Sequence, residues 1–245
     1  MPRVKQTITG AVAVATAALL LTSLLTTSAT TADAQPAQGP AEATPALRAD
    51  YRFKGSLSSS VAGAPALRNV GPGANTFATE DVNGRQRTVL QFPENNGLDL
   101  RNATSVIPRD RYTIAIRMRF DFTSNYQRIV NYVPEVNADE GFYGLNGTVT
   151  LYPVTIGNLP LITPDAWTDL VLTRSRGGRL RAYIDGTQVF DVSVGENSAG
   201  RIGPRNILRF FRDSAIGLGF TSGAVARIRL FDQAMTPTQV AALNS

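Results

Sequence analysis

The chain has no histidine and no cysteine, a single tryptophan, and two lysines, Lys5 and Lys54. Without cysteine there is no disulfide and no thiol nucleophile. Without histidine there is no Ser-His-Asp triad, and zinc sites of the usual His/Cys type are excluded as well. Carboxylates, hydroxyls and Lys54 are the only groups left for catalysis. Glutamate is also scarce: outside the first 34 residues it occurs at Glu42, Glu80, Glu94, Glu135, Glu140 and Glu196. None of these has an aspartate two residues later, so no Glu-x-Asp pair sets two acids on one strand face. Adjacent acids such as Glu80-Asp81 and Asp139-Glu140 would point to opposite faces of a strand. The expectation is a protein without catalytic residues. No Gly-rich phosphate loop and no EF-hand loop occurs.

What is present begins with an export signal. Arg3 and Lys5 precede an apolar stretch from about Ile8 to Leu25, and Ala32-Asp33-Ala34 supplies a small-x-small cleavage signal. Residues 1–34 are read as a signal peptide, with an uncleaved anchor as the alternative, and the protein as secreted. No later segment is apolar enough to span a bilayer. Residues 35–49, rich in Ala, Pro, Gln and Gly, read as a flexible linker. Residues 50–245 remain as one folded domain, long enough to bury a core without disulfide support. The net charge of +5 falls by one when the leader leaves with Arg3, Lys5 and Asp33, and the remaining basic residues are dispersed. That pattern argues against nucleic acid as a partner.

Within the domain, β signals dominate. Asn83-Gly84, Asn146-Gly147, Gly177-Gly178 and Asp185-Gly186 each sit between β-branched or aromatic residues, which marks four hairpins. From Tyr112 to Phe122 the chain alternates strictly, with Tyr112, Ile114, Ile116, Met118, Phe120 and Phe122 on one face. Thr113, Ala115, Arg117, Arg119 and Asp121 take the other. The same alternation sets Leu180, Ala182 and Ile184 inward against Arg179, Arg181 and Tyr183. It also sets Ala224, Ala226, Ile228 and Leu230 inward against Val225, Arg227, Arg229 and Phe231. Thr236, Pro237 and Gln239 form a capping box for a short C-terminal helix. The fold expected is all-β, an antiparallel two-sheet jelly-roll sandwich with that helix at its end.

Several stretches in chain order resemble the laminin-G-like, concanavalin A-like lectin/glucanase domains. Trp167-Thr168-Asp169-Leu170-Val171-Leu172-Thr173-Arg174, followed by Ala182-Tyr183-Ile184-Asp185-Gly186, is similar to that family's Trp-led strand and its Tyr-Ile-Asp-Gly hairpin. Tyr51 to Leu57, Arg111 to Asp121, Gly141-Phe142-Tyr143, Leu208 to Asp213, Gly223 to Asp232 and Met235 to Leu243 fit its other elements. The resemblance implies a rim Ca²⁺ site with Asp213 as a ligand. Relatives often carry a second aspartate where Ser214 stands here, so the oxygen set is depleted and no cofactor is expected otherwise.

Two features suit ligand binding. Arg128 with Tyr132 and Tyr143 offers aromatic faces beside guanidinium donors, the combination a sugar ring requires. Arg117 and Arg119, Arg179 and Arg181, and Arg227 and Arg229 each lie two apart on outward faces. Neighbouring strands would gather them into a patch suited to acidic polysaccharide, although a solvated sheet face gives the same spacing. Trp167 is read as core packing. A secreted, non-catalytic binding module for a glycan or cell-surface polymer follows. A protein-binding adhesive module and a polysaccharide hydrolase are the alternatives.

Overall fold

A computed structural model describes residues 44–134, 140–213 and 221–243. The leader 1–34, residues 35–43 of the linker, and Ser214 lie outside the described residues. In chain order the strands are β1 (Leu47–Tyr51), β2 (Arg68–Val70), β3 (Thr76–Asp81), β4 (Gln86–Phe92) and β5 (Gly97–Arg101). Next come β6 (Tyr112–Phe120), β7 (Tyr126–Asn131), β8 (Gly141–Leu145), β9 (Thr148–Tyr152) and β10 (Thr155–Ile156). The last are β11 (Thr168–Arg174), β12 (Arg179–Ile184), β13 (Thr187–Ser193), β14 (Ile207–Phe210) and β15 (Gly223–Phe231), followed by helix α1 (Pro237–Leu243).

The strands form two antiparallel sheets, as the alternation requires. One runs β13-β12-β11-β6-β15-β4-β3, with β1 also on β15. The other runs β10-β9-β8-β7-β14-β5-β2. Strand β15 is the hinge of the first sheet. Along one edge it pairs with β6, while the other edge takes β4 at Gly223 to Val225 and β1 at Ile228 to Phe231. Tyr112, Ile114, Ile116, Met118 and Phe120 meet Leu98, Leu100, Val130, Phe142, Leu208 and Phe210 in one continuous core. Each such buried side chain contributes about 1.5–3 kcal/mol. Both residues of Asn83-Gly84, Asn146-Gly147 and Asp185-Gly186 have positive φ, the geometry that matches a two-residue turn to strand twist. In the fourth hairpin, a Cβ on Gly178 would stand 2.0 Å from the Gly195 carbonyl oxygen, so only glycine fits. The capping box forms reciprocally: the Gln239 N–H donates to Thr236 Oγ1 at 3.3 Å, and the Thr236 N–H donates to Gln239 Oε1 at 2.9 Å.

Four local expectations are corrected. The outer face of β6 is not uniformly solvated. Thr113 and Ala115 are buried, and Ala115 packs with Val171, Tyr183, Phe231 and Met235 beneath Val240 of α1. In β15 a bulge between Val225 and Arg227 inserts Ala226 and reverses the parity before it. Val225 therefore joins the main core, while Ala224 and Ala226 face outward with Val82 and Val89. Trp167 does pack, as expected, but partly buried against that outer patch and not between the sheets. Finally, β1 starts at Leu47, inside the segment read as linker. Its entry is fixed by the Ala46 N–H donating to Asp232 Oδ1 at 2.9 Å.

Candidate functional site

The Arg128 and Tyr143 pairing exists, but it is internal. They face each other across β7 and β8, and the guanidinium lies 3.6 Å from the Tyr143 ring centroid. Arg128 Nη2 donates to Asp213 Oδ1 at 2.8 Å and the Tyr143 hydroxyl donates to Asp213 Oδ2 at 2.9 Å. Gly141 makes the space, since a Cβ there would meet Arg128 Nη1 at 2.4 Å. All three side chains are buried, so this cluster is an ion pair holding the outer face of the second sheet. Tyr126, edge-on to Tyr143 at 5.5 Å, and Tyr152 are the neighbours that reach solvent. Tyr132, expected as a ligand contact, is a core residue at 0% exposure, stacked on Tyr112 at 5.7 Å.

Around Asp213 the described residues suit an ion pair better than Ca²⁺. Both carboxylate oxygens already accept hydrogen bonds, and the nearest charge is a cation, whereas Ca²⁺ takes six to eight oxygens. Among the described residues no group of three acidic, His or Cys side chains could hold a metal.

The three outward arginine pairs go to different places. Arg119 donates to Glu80 at 2.8 and 2.9 Å and also bonds Asp121, with its guanidinium 6.0 Å from the Trp167 ring. Arg179 and Arg181 share Asp191 at 2.7 to 3.0 Å. Arg117 and Arg227 do meet, being register partners across β6 and β15. Arg117 is held by Asp169, and Arg227 by Asp50 at 2.7 and 2.9 Å.

Around that meeting point the outer face of the first sheet is hollowed into two adjoining grooves. One, of about 320 Å³, is lined by Arg85, Arg87, Arg117, Asp169, Arg227 and Arg229, and closed by Ala115 and Leu243. The other, of about 800 Å³, shares Arg87 and Arg227 and adds Arg52, Lys54, Gln86 and Thr88. Asp50, fully buried beneath them, accepts from Arg227, Arg52 and Ser60. Burial would raise its pKa, but the bonds from Arg227 and Arg52 prevail and hold it at about 2. Arg229 is half-buried. Its own burial, followed by the positive charge of Arg227, pulls its pKa below the ordinary arginine value.

The sequence reading missed Arg85 and Arg87, although they show the same two-apart spacing as the pairs it singled out. It also missed Arg174. That side chain is fully buried, and its guanidinium donates to the carbonyls of Asp110, Ser175, Gly195, Glu196, Ser198 and Ala199, bracing the 195–199 loop. Beside that loop lies a rim hollow of about 440 Å³. Its one carboxylate, Glu140, accepts the Gly200 N–H at 2.7 Å.

Residues 92–241 match the family described as the concanavalin A-like lectin/glucanases superfamily. No curated protein matches the chain. Among solved structures, domain 4 of AbnA, a GH43 extracellular arabinanase from Geobacillus stearothermophilus solved with arabinotriose, superimposes with a TM-score of 0.65 at 18% identity. That match covers 82% of this chain and 99% of that one. The binding domain of Paraclostridial Mosquitocidal Protein 1 gives 0.60 at 14% identity, over 81% of this chain and 51% of that one. A botulinum neurotoxin type C structure, described as dependent for cell entry on two ganglioside molecules, gives 0.53 at 11%, over 82% and 50%. The chain thus spans about half the toxin chains it matches. At these identities the likeness establishes the fold.

Proposed function

Because the chain belongs to the concanavalin A-like lectin/glucanases superfamily, we propose that it is an exported, non-catalytic module that binds carbohydrate. The observation that carries this reading is the lining of the three grooves. None holds two carboxylates. The two single ones, Glu140 and Asp169, are engaged by the Gly200 N–H and by Arg117. Glycoside hydrolysis generally needs a carboxyl pair about 5–10 Å apart, so these surfaces offer donors for holding a sugar and no acid pair for cutting it. Two structural neighbours support the carbohydrate part, one solved with arabinotriose and one whose description names gangliosides.

The test is a glycan array probed with the purified protein, followed by a reducing-sugar assay on every glycan retained. Retention without release is the expected result. Release of reducing ends would overturn the non-catalytic reading, and an empty array would overturn the carbohydrate reading. One observation favours a second, adhesive reading: Tyr152, Val154, Ile156, Leu159 and Leu161 are all more than a third exposed along the β9–β10 edge, an apolar run of the kind that marks protein contacts.

A further inference from the structure

The paired grooves on the outer face of the first sheet carry more positive charge than their carboxylates neutralise. Asp169 is taken by Arg117, and Asp50 is shared between Arg227 and Arg52. Glu80 lies directly opposite Arg87 across the β3–β4 pair, yet its carboxylate turns to Arg119, which holds its pKa below the usual carboxylate range. Arg85, Arg87, Lys54 and Arg229 are left without an ion-pair partner among the described residues. Among the described residues Arg229 donates only to the Leu243 carbonyl, at 3.5 Å, in a half-buried position beside like charges. Cations gathered in a recess rather than spread over a convex surface concentrate the field there and favour an incoming anion.

We infer that these two grooves form a binding site for a uronate-bearing polysaccharide, with sugar carboxylates taken by Arg85, Arg87 and Arg229 and successive residues running from the smaller groove into the larger. This rests on the carbohydrate-module reading and specifies its ligand class. The chemistry of a carboxylate is already displayed in place, since Arg227 grips Asp50 with Nε and Nη2, and Arg117 grips Asp169 with the same two atoms. Volumes of 320 and 800 Å³ fall within the range of small-ligand sites, about 300–1,000 Å³. Because the grooves adjoin through Arg87 and Arg227, a chain of sugars fits better than a single small acid. A flat anionic membrane is a poor match to a recess holding Arg229, and none of the exposed large apolar side chains lines it. Single-stranded nucleic acid would want aromatic faces for its bases, and no aromatic residue lines either groove; a uronate chain is held here through its carboxylates and not by ring stacking.

The experiment measures the affinity of the purified protein for sodium polygalacturonate by calorimetry, with neutral dextran, dextran sulfate, duplex DNA and phosphatidylglycerol vesicles as comparisons. Arg85 and Arg87 are exposed and unpaired, so the double variant R85S/R87S should keep its melting temperature within about 2 °C. It should bind polygalacturonate about tenfold more weakly, from two exposed charge contacts. Raising NaCl from 0.1 to 1 M, which shortens the screening length from about 10 to 3 Å, should weaken the parent protein toward the variant. R179S, whose arginine sits on Asp191 outside the grooves, should bind as the parent does. Unchanged affinity of R85S/R87S, or dextran bound as tightly as polygalacturonate, would overturn the site while leaving the carbohydrate module standing. Tighter binding of dextran sulfate, DNA or vesicles, lost in R85S/R87S, would overturn the uronate assignment. Failure to bind any of these three polysaccharides would overturn the site, and the glycan array decides the module reading separately.

Discussion

Replacing Asp50 by Asn separates charge from packing in the groove floor. Asp50 is 0% exposed and accepts from Arg227 at 2.7 and 2.9 Å, Arg52 at 2.6 Å and Ser60 at 3.1 Å. Its folded pKa of about 2 lies below the value of about 3.9 for an unfolded aspartate. Between those values the unfolded chain binds more protons than the native one, so stability rises with pH there. The contribution is complete above about pH 5 and is lost as pH falls through about 4 toward 2. A displacement of nearly two units is worth about 2.5 kcal/mol at neutral pH. The Arg227 and Arg52 side chains are 34% and 50% exposed, so water recovers part of their solvation once the anion is gone. Discounted for that screening, the expected loss in Asp50→Asn is about 2 kcal/mol at pH 7. For a domain of this size that lowers the melting temperature by about 4–8 °C. Urea unfolding of both proteins from pH 7 down to pH 2 is the assay. The stability gap should shrink steadily below about pH 4 and nearly close at pH 2, because protonation removes from the parent the charge the variant lacks. A gap that stays constant with pH would refute the reasoning, since it would report lost packing; so would a gap below about 0.5 kcal/mol at pH 7, within the scatter of ordinary surface substitutions. The variant also gives a functional readout. With Asp50 uncharged, Arg227 is free to turn to a ligand, and polygalacturonate should bind more tightly as the protein becomes less stable.

The remaining predictions concern the two fully buried arginines. Arg174→Met should cost at least about 3 kcal/mol in urea unfolding, because it strands several loop carbonyls, and should open residues 195–199 to limited proteolysis. Calcium at 5 mM should raise the melting temperature by less than about 2 °C, since Asp213 is committed to Arg128 and Tyr143 and a weak site stabilises little. Asp213→Ala should lose about 3 kcal/mol equally in calcium and in EDTA, because it removes the buried carboxylate that accepts from both Arg128 Nη2 and the Tyr143 hydroxyl. A calcium-dependent loss would show that the aspartate serves a metal.

Features decided within a few residues were legible in the sequence. Asn83-Gly84, Asn146-Gly147 and Asp185-Gly186 specify their turns through their own φ preferences, and Thr236 and Gln239 cap α1 through bonds only three residues apart. The core face of β6 was equally plain because its two parities differ in polarity. The bulge in β15 was hidden for the complementary reason. Ala224, Val225 and Ala226 are all apolar, so inserting a residue there leaves no mark on the alternation. Tyr132 misled because turn-rich surroundings suggest exposure, whereas contacts with Tyr112 and Phe142 bury it. The strand at Leu47 to Tyr51 carries part of the linker's composition because its order comes from β15, near the opposite end of the chain.

Which arginines are available to a ligand is a question of a different kind, because spacing places a cation on a face but competition for carboxylates decides what it does there. Asp169 reaches Arg117 across 52 positions, Asp213 reaches Arg128 across 85, and Asp50 reaches Arg227 across 177. None of those pairings is local, and each engages a guanidinium singled out as a ligand contact, Arg117 and Arg227 by their alternation and Arg128 by its aromatic neighbours. The decisive case is Glu80. Register puts it opposite Arg87, and had it stayed there the two would have neutralised each other as a cross-strand pair. It turns instead to Arg119, which gives it two hydrogen bonds, while Gln91 supplies a third at 2.8 Å. The consequence falls on the other strand: Arg87 has no carboxylate partner among the described residues and stands at the junction of both grooves. An arginine that looks like any other in the sequence is thereby set up to bind an anion, by the choice its facing glutamate makes between two cations.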